Sequence, residues 1–229
     1  MPIIADVIER EDVGYPGGAT FDAMGETFAT RMRTRYGWSP DPAGVFSLSD
    51  LIQSIRTCVE MFSSAGGDVV VQTPIYHPFL DVVADFDRRL VDTRLLQGDG
   101  RFEIDFDHLS RAVDRDTDLF LFCNPHNPSG RVFERRELEQ LAEIVVANDM
   151  IVVADEIHAD LAYDGHTHIP LASIGPEIAA RTITLTSATK AFNIAGMKYA
   201  LMHFGDLELL ATHTERYHPR LLGVPNIFG

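Results

Sequence analysis

Apolar positions along this chain fall into two kinds of pattern that take turns. Short, largely apolar runs stand at 68–73, 119–123, 151–154, 183–186 and 199–204. Runs of that length, bounded by turn residues, predict strands buried on both faces. Residues 89–95 and the apolar pair 45–46 predict two further strands. Between them the spacing changes to that of helices. Residues 19–36 place Phe21, Met24, Phe28 and Met32 at roughly helical intervals, and 49–62 place Leu51, Ile52, Ile55 and Val59 on one face. Ser49 is the expected N-cap of that second helix. Residues 134–147 give the clearest amphipathic pattern, with Leu138, Leu141, Ile144 and Val145 facing inward. Shorter helices are expected at 105–113 and 206–217. Prolines 74 and 78 read as punctuation of a loop, and residues 97–100 as a turn. Strands alternating with helices predict an α/β fold: a mostly parallel sheet of the seven-stranded type with helices on both faces.

The chain has 229 residues, enough for one good-sized domain with a large core. A net charge of −15 opposes binding to nucleic acid or to an anionic membrane, both of which call for basic patches. No apolar run approaches the ~20 residues of a membrane span. Residues 1–12 lack the basic-then-apolar order of a secretion signal. The two cysteines, Cys58 and Cys123, fall in a helical and a buried-strand pattern, so two reduced core thiols are expected rather than a disulfide. These features fit a cytoplasmic protein.

The chemistry collects where expected strands end. Asn124-Pro125-His126-Asn127-Pro128-Ser129-Gly130 follows one buried run, Asp155-Glu156-Ile157-His158 another, and Ser187-Ala188-Thr189-Lys190 a third. Open α/β sheets bind ligands outside the carboxyl ends of their strands. A lysine at the end of a buried strand is costly unless it has a task, because burial disfavours the ammonium. One such task is Schiff-base formation. Each residue also has a plainer reading. Lys190 could reach solvent, the Asn-Pro pairs could form an ordinary turn, and Asp155 could cap a helix or loop. His166 and His168, together with His158 and Asp155, could suggest a metal site, but they lack a closing ligand set, and no metal is expected.

The order of asparagine, aspartate and lysine, 28 and then 35 residues apart, resembles the fold-type-I pyridoxal-phosphate enzymes of the aspartate aminotransferase superfamily. The stretches NPHNPSGRVF, ADEIHADLAYDGHTHIP and TSATKAFNIAG resemble the MalY/PatB-type branch, the cystathionine and cysteine-conjugate β-lyases. The resemblance runs from about Tyr15 to the end of the chain. It implies an incomplete large domain of a pyridoxal-phosphate-dependent transferase over residues 1–229, short of the longer N-terminal segment that relatives carry ahead of the Gly14-Tyr15 region and without the C-terminal small domain. That small domain usually supplies the arginine for the substrate carboxylate, and no residue here takes that role.

Pyridoxal 5′-phosphate is the cofactor the resemblance implies. Lys190 would carry it as a Schiff base and then act as general base at the substrate Cα. Asp155 would keep the ring nitrogen protonated. Asn127 would hydrogen-bond the ring's phenolic oxygen. His158, which replaces the tyrosine usual in the aminotransferases, would tune that oxygen or the aspartate. Tyr76 resembles the aromatic that stacks on the ring, where stacking adds ~1 kcal/mol beyond burial. Its plainer reading is a core or surface aromatic. For the phosphate the resemblance implies Ser187, Lys198, and the Ser49–Asp50 helix start. At that start a backbone N–H is expected to make the contact, with the aspartate turned away. Tyr15 would reach the phosphate of a neighbouring subunit, which implies a homodimer. The implied activity is β-elimination from L-cystathionine or another cysteine S-conjugate, giving a thiol, pyruvate and ammonia. An aminotransferase on the same scaffold and a cofactor-binding remnant without turnover are the alternatives.

Overall fold

In the computed structural model the described residues are 2–11, 14, 18–98, 100–163, 165–218, 222 and 225. The elements in chain order are α1 (Pro2–Glu9), α2 (Gly18–Tyr36), β1 (Val45–Leu48), α3 (Leu51–Phe62), β2 (Asp68–Val71), α4 (Pro78–Asp85), β3 (Arg89–Asp92), β4 (Leu96–Gln97), β5 (Phe102–Glu103), α5 (Phe106–Ala112), β6 (Thr117–Cys123), α6 (Arg135–Ala147), β7 (Ile151–Asp155), α7 (Pro176–Ala180), β8 (Thr182–Thr186), β9 (Ala200–Phe204) and α8 (Leu207–Arg216). Seven strands form one sheet in the order β1-β9-β8-β7-β6-β2-β3. β9 pairs antiparallel with both neighbours, and the other pairings in this sheet are parallel. β4 and β5 form a separate two-stranded hairpin.

The inner strands β2, β6, β7, β8 and β9 are buried along nearly their whole length because helices cover both faces, whereas the edge strand β3 is largely exposed, and the two-residue period of a strand sorts the buried side chains into separate cores. In β6, Leu119, Leu121 and Cys123 join α3 and α4 on one face. Phe120 and Phe122 of the same strand join α5, α6 and α7 on the other. Each fully buried side chain of this size contributes roughly 1.5–3 kcal/mol. A third cluster joins Phe28 and Met32 of α2 to Trp38 and Leu201. Cys58 and Cys123 are buried free thiols, as expected, and burial pushes both thiol pKa values up.

Two expectations need correction. The N-cap of α3 is Asp50, not Ser49. Its backbone is extended and its carboxylate accepts the Gln53 N–H at 2.9 Å. Either residue type caps a helix, but a carboxylate also meets the positive end of the helix dipole. The second correction is α4, where only a loop was expected. Pro78 opens the helix, a position at which its missing N–H costs nothing, and Phe79, Val82 and Val83 bury one face. α7, a helix the apolar spacing did not announce, starts on Pro176 in the same way. No helix of the described residues is long and apolar enough to cross a membrane.

Candidate active site

A cavity of about 780 Å³ opens at the ends of β1, β6, β7 and β8 and the start of β9. Eight of the residues singled out by sequence line it together: Ser49, Asp50, Tyr76, Asn127, Asp155, His158, Lys190 and Lys198. A volume of this size accommodates a small cofactor together with a substrate.

Each wall has a local cause. Asp155 is the last residue of β7 and is 7% exposed. Its Oδ1 accepts the Ile157 N–H at 3.0 Å, which turns the chain sharply into the segment carrying His158. Burial raises the Asp155 pKa from its ordinary 3.8 to about 7. The Ile157 N–H works against that rise, the neighbouring Glu156 charge adds to it, and Lys190 offsets part of it. Burial lowers the His158 pKa, with a further push from Lys190, so the imidazole is held in its neutral form at pH 7.

Asn127 sits in a loop pinned from behind. His126 N–H donates to the Arg131 carbonyl at 2.7 Å, and Gly130 N–H to the His126 carbonyl at 2.7 Å. Gly130 has φ of 72°, the left-handed region that glycine adopts freely. Arg131 is buried. Its guanidinium meets both Glu137 oxygens at 2.5 Å and lies 5.0 Å from the centre of the Phe133 ring. A buried pair of this kind holds a loop in place because breaking it strands a charge. Tyr76 lines the cavity and is 42% exposed, so it is not a core aromatic.

Lys190 differs from expectation in its surroundings. β8 ends at Thr186, and the lysine lies four residues further on, exposed at the cavity wall. Desolvation at a strand end is therefore not its condition. Ser187 is also placed differently. It is buried outside the cavity lining, where its hydroxyl donates to the Tyr199 carbonyl at 2.5 Å and lies 2.8 Å from the Thr189 hydroxyl. It shapes the turn that carries Lys190, and Thr189 lines the cavity in its place. The Asp50 carboxylate is turned onto the helix's own donor. Lys198 has φ of 52° and closes a short 3-10 turn, Ala195–Met197. Tyr15 lies outside the described residues.

Sequence reading missed Arg56 and Tyr199. Arg56 lines the cavity, pairs with Asp85 and lies 5.1 Å from the centre of the Phe86 ring. Its signal was available, since Asp50, Gln53 and Arg56 follow each other at three-residue steps along one helix face. Tyr199 carried no such signal. Burial raises its pKa, and its carbonyl receives Ser187.

The aminotransferase class I and II family model matches residues 7–204. Cystathionine beta-lyase PatB from Bacillus subtilis is 37% identical over 223 residues, which is 96% of this chain and 58% of that protein. Cystalysin from Treponema denticola, solved with pyridoxal 5′-phosphate, superposes with a TM-score of 0.90 at 30% identity, over 97% of this chain and 57% of its own. N-succinyldiaminopimelate aminotransferase from Mycobacterium tuberculosis superposes with a TM-score of 0.88 at 31% identity, over 98% of this chain and 58% of its own. The chain thus spans somewhat more than half the length of these relatives. The match over most of its residues and the cavity at its strand ends lead to one family, and the chain belongs to the class I and II aminotransferases.

Proposed function

We propose that residues 1–229 form the cofactor-binding large domain of a pyridoxal-phosphate-dependent carbon–sulfur β-lyase acting on L-cystathionine or another cysteine S-conjugate. The observation that carries this reading is the gathering of Lys190, Asp155, Asn127, His158 and Tyr76 around one cavity. The donor set fits the cofactor. A buried carboxylate with its pKa near 7 gains most from a cationic partner, and a protonated pyridine nitrogen is one. Lys198 and Arg56 line the same cavity and supply positive charge for a phosphate. Tyr76 lines the same cavity and would supply the aromatic ring for stacking.

Pyridoxal phosphate, when bound, would supply an electron sink for chemistry at the substrate Cα. Lys190 Nζ would hold the cofactor and move the Cα proton. Asp155 would pair with the protonated ring nitrogen, and Asn127 would hydrogen-bond the phenolic oxygen. His158, whose pKa burial lowers, would offer the same cavity a hydrogen-bonding group without charge. The Cβ–S bond then breaks, the thiol departs, and hydrolysis of the remaining aminoacrylate gives pyruvate and ammonia. A homodimer in which Tyr15 reaches the partner's phosphate belongs to the same proposal, as does a cytoplasmic location.

The second reading is an aminotransferase, favoured by the likeness to N-succinyldiaminopimelate aminotransferase. Incubation with cystathionine decides between them. A lyase releases pyruvate and homocysteine without any added 2-oxo acid acceptor. A strict need for a 2-oxo acid acceptor, with a new amino acid formed from it, would overturn the lyase reading.

A further inference from the structure

Next to Asp155 stands a second buried carboxylate that the proposed reaction does not use. Glu156 is 2% exposed, yet it is absent from the lining of the cavity that Asp155 faces. Its Oε2 lies 2.9 Å from His168 Nε2, and its Oε1 accepts the Leu171 N–H at 2.9 Å. Its own N–H donates to the Leu185 carbonyl on β8 at 2.8 Å. His168 is equally buried, and its Nδ1 has no hydrogen-bond partner among the described residues. A neutral imidazole with its proton on Nε2 leaves only an acceptor unpaired at Nδ1, which costs less than a stranded charged donor. His168 therefore donates and Glu156 accepts. The imidazole is braced from outside by Tyr36, whose ring stands edge-on at 5.3 Å. The Tyr36 hydroxyl donates to Asp160, which Arg31 and Arg35 also hold.

This histidine comes from the Gly165-His166-Thr167-His168 loop, which as sequence suggested at most a weak metal site. The two histidines part company in the fold. His166 lines a neighbouring cavity, and His168 turns inward to Glu156.

Asp155 closes β7 and Glu156 follows it, and the charge of Glu156 makes Asp155 harder to ionise, the more so the nearer the two carboxylates approach. The charged or titratable groups acting on Asp155 are Glu156, Lys190 and the Cys123 thiol. Those facing His168 are Glu156 and Tyr36. We propose that His168 is a positioning residue for Asp155: by donating to Glu156 it holds that second carboxylate out of the cavity, so that Asp155 is the one carboxylate presented to a cofactor's ring nitrogen. This deepens the proposed function and rests on it for the identity of the cofactor.

The test has one arm without cofactor and one with it. In the apoprotein, the ionisation of Asp155 is read as the pH at which the stability difference between a background and its D155N derivative changes. H168F removes the donor and keeps a ring, and should move that midpoint up by about one pH unit. H168N, which retains an N–H donor, should move it less. E156Q removes the competing charge and should move it down, and E156Q/H168F should cancel the upward shift. If H168F fails to fold, H168N and E156Q still report. In the second arm, pyridoxal phosphate is titrated by absorbance. H168F should bind about tenfold more weakly, with binding regained in E156Q/H168F. Equal midpoints in all backgrounds, or weaker binding by H168F with an unmoved midpoint, would overturn the proposal. Shifted midpoints with no uptake of pyridoxal phosphate by the wild-type chain would support the positioning role and count against the proposed function alone.

Discussion

Replacing Asp155 by asparagine is expected to stabilise the apoprotein while removing activity, and the size of the gain should depend on pH. The side chain keeps its shape, and an amide oxygen can still accept the Ile157 N–H. What changes is the charge. Burial raises the folded-state pKa from 3.8 to about 7. A raised folded pKa means that the native state holds the proton where the unfolded chain has lost it, so this group's contribution is fully present below pH 4 and is lost as pH rises to 7. A shift of about three units corresponds to about 4 kcal/mol at pH 8. At pH 5 only the first part of that loss has been incurred, about 1.5–2 kcal/mol. The stability advantage of D155N should therefore grow by about 2–3 kcal/mol between pH 5 and pH 8. Urea unfolding of both apoproteins at the two pH values measures this directly. The difference cancels the titration of the other carboxylates, which both proteins share. Adding pyridoxal phosphate should reverse the order at pH 8, because a protonated ring nitrogen pairs with the aspartate and not with the amide. A D155N advantage that is the same at both pH values would refute the argument that Asp155 is a desolvated acid.

Two further outcomes follow from the site. Borohydride reduction of the loaded protein should fix the cofactor on the peptide containing Lys190, and K190A should lose that label while keeping its stability within about 0.5 kcal/mol, since the side chain is exposed; label on another lysine would refute the assignment. D50A should destabilise the apoprotein by about 1 kcal/mol through the lost cap of α3, whereas D50N should keep the cap and bind pyridoxal phosphate more tightly, as judged by equilibrium dialysis; tighter binding would be absent if the phosphate sits elsewhere.

The centre of the sheet was legible because its inner strands are buried on both faces. Runs such as 119–123 and 151–154 carry an apolar signal that competes with little else. The strand-end residues were legible for the same reason, since Asp155 and the Asn127 loop interrupt those runs abruptly. The helices starting on Pro78 and Pro176 were not, because a proline that opens a helix and a proline that marks a loop look alike until the following face is packed. The placement of Ser187 could not be read either. A serine three residues before Lys190 can face a ligand or the backbone, and the carbonyl of Tyr199, twelve residues away, decides which. The partner of Glu156 was equally hidden, since nothing in the spacing of Glu156 and His168 signals a contact that depends on the path of the intervening loop.

The reversal of β9 has a consequence for how the cations of the site are related. After a parallel strand the chain must leave the carboxyl end of the sheet and cross back through a helix before the next strand begins. After β8 it does not, because β9 runs the opposite way. Residues 187–199 therefore stay on the ligand side as a single excursion, bearing Lys190 near its outgoing end and Lys198 near its return. The residue assigned to the covalent link and a residue assigned to the phosphate thus share one tether. A length change in this excursion would displace both ends of the bound molecule together, whereas the Asn127 and Asp155 turns can vary independently of each other.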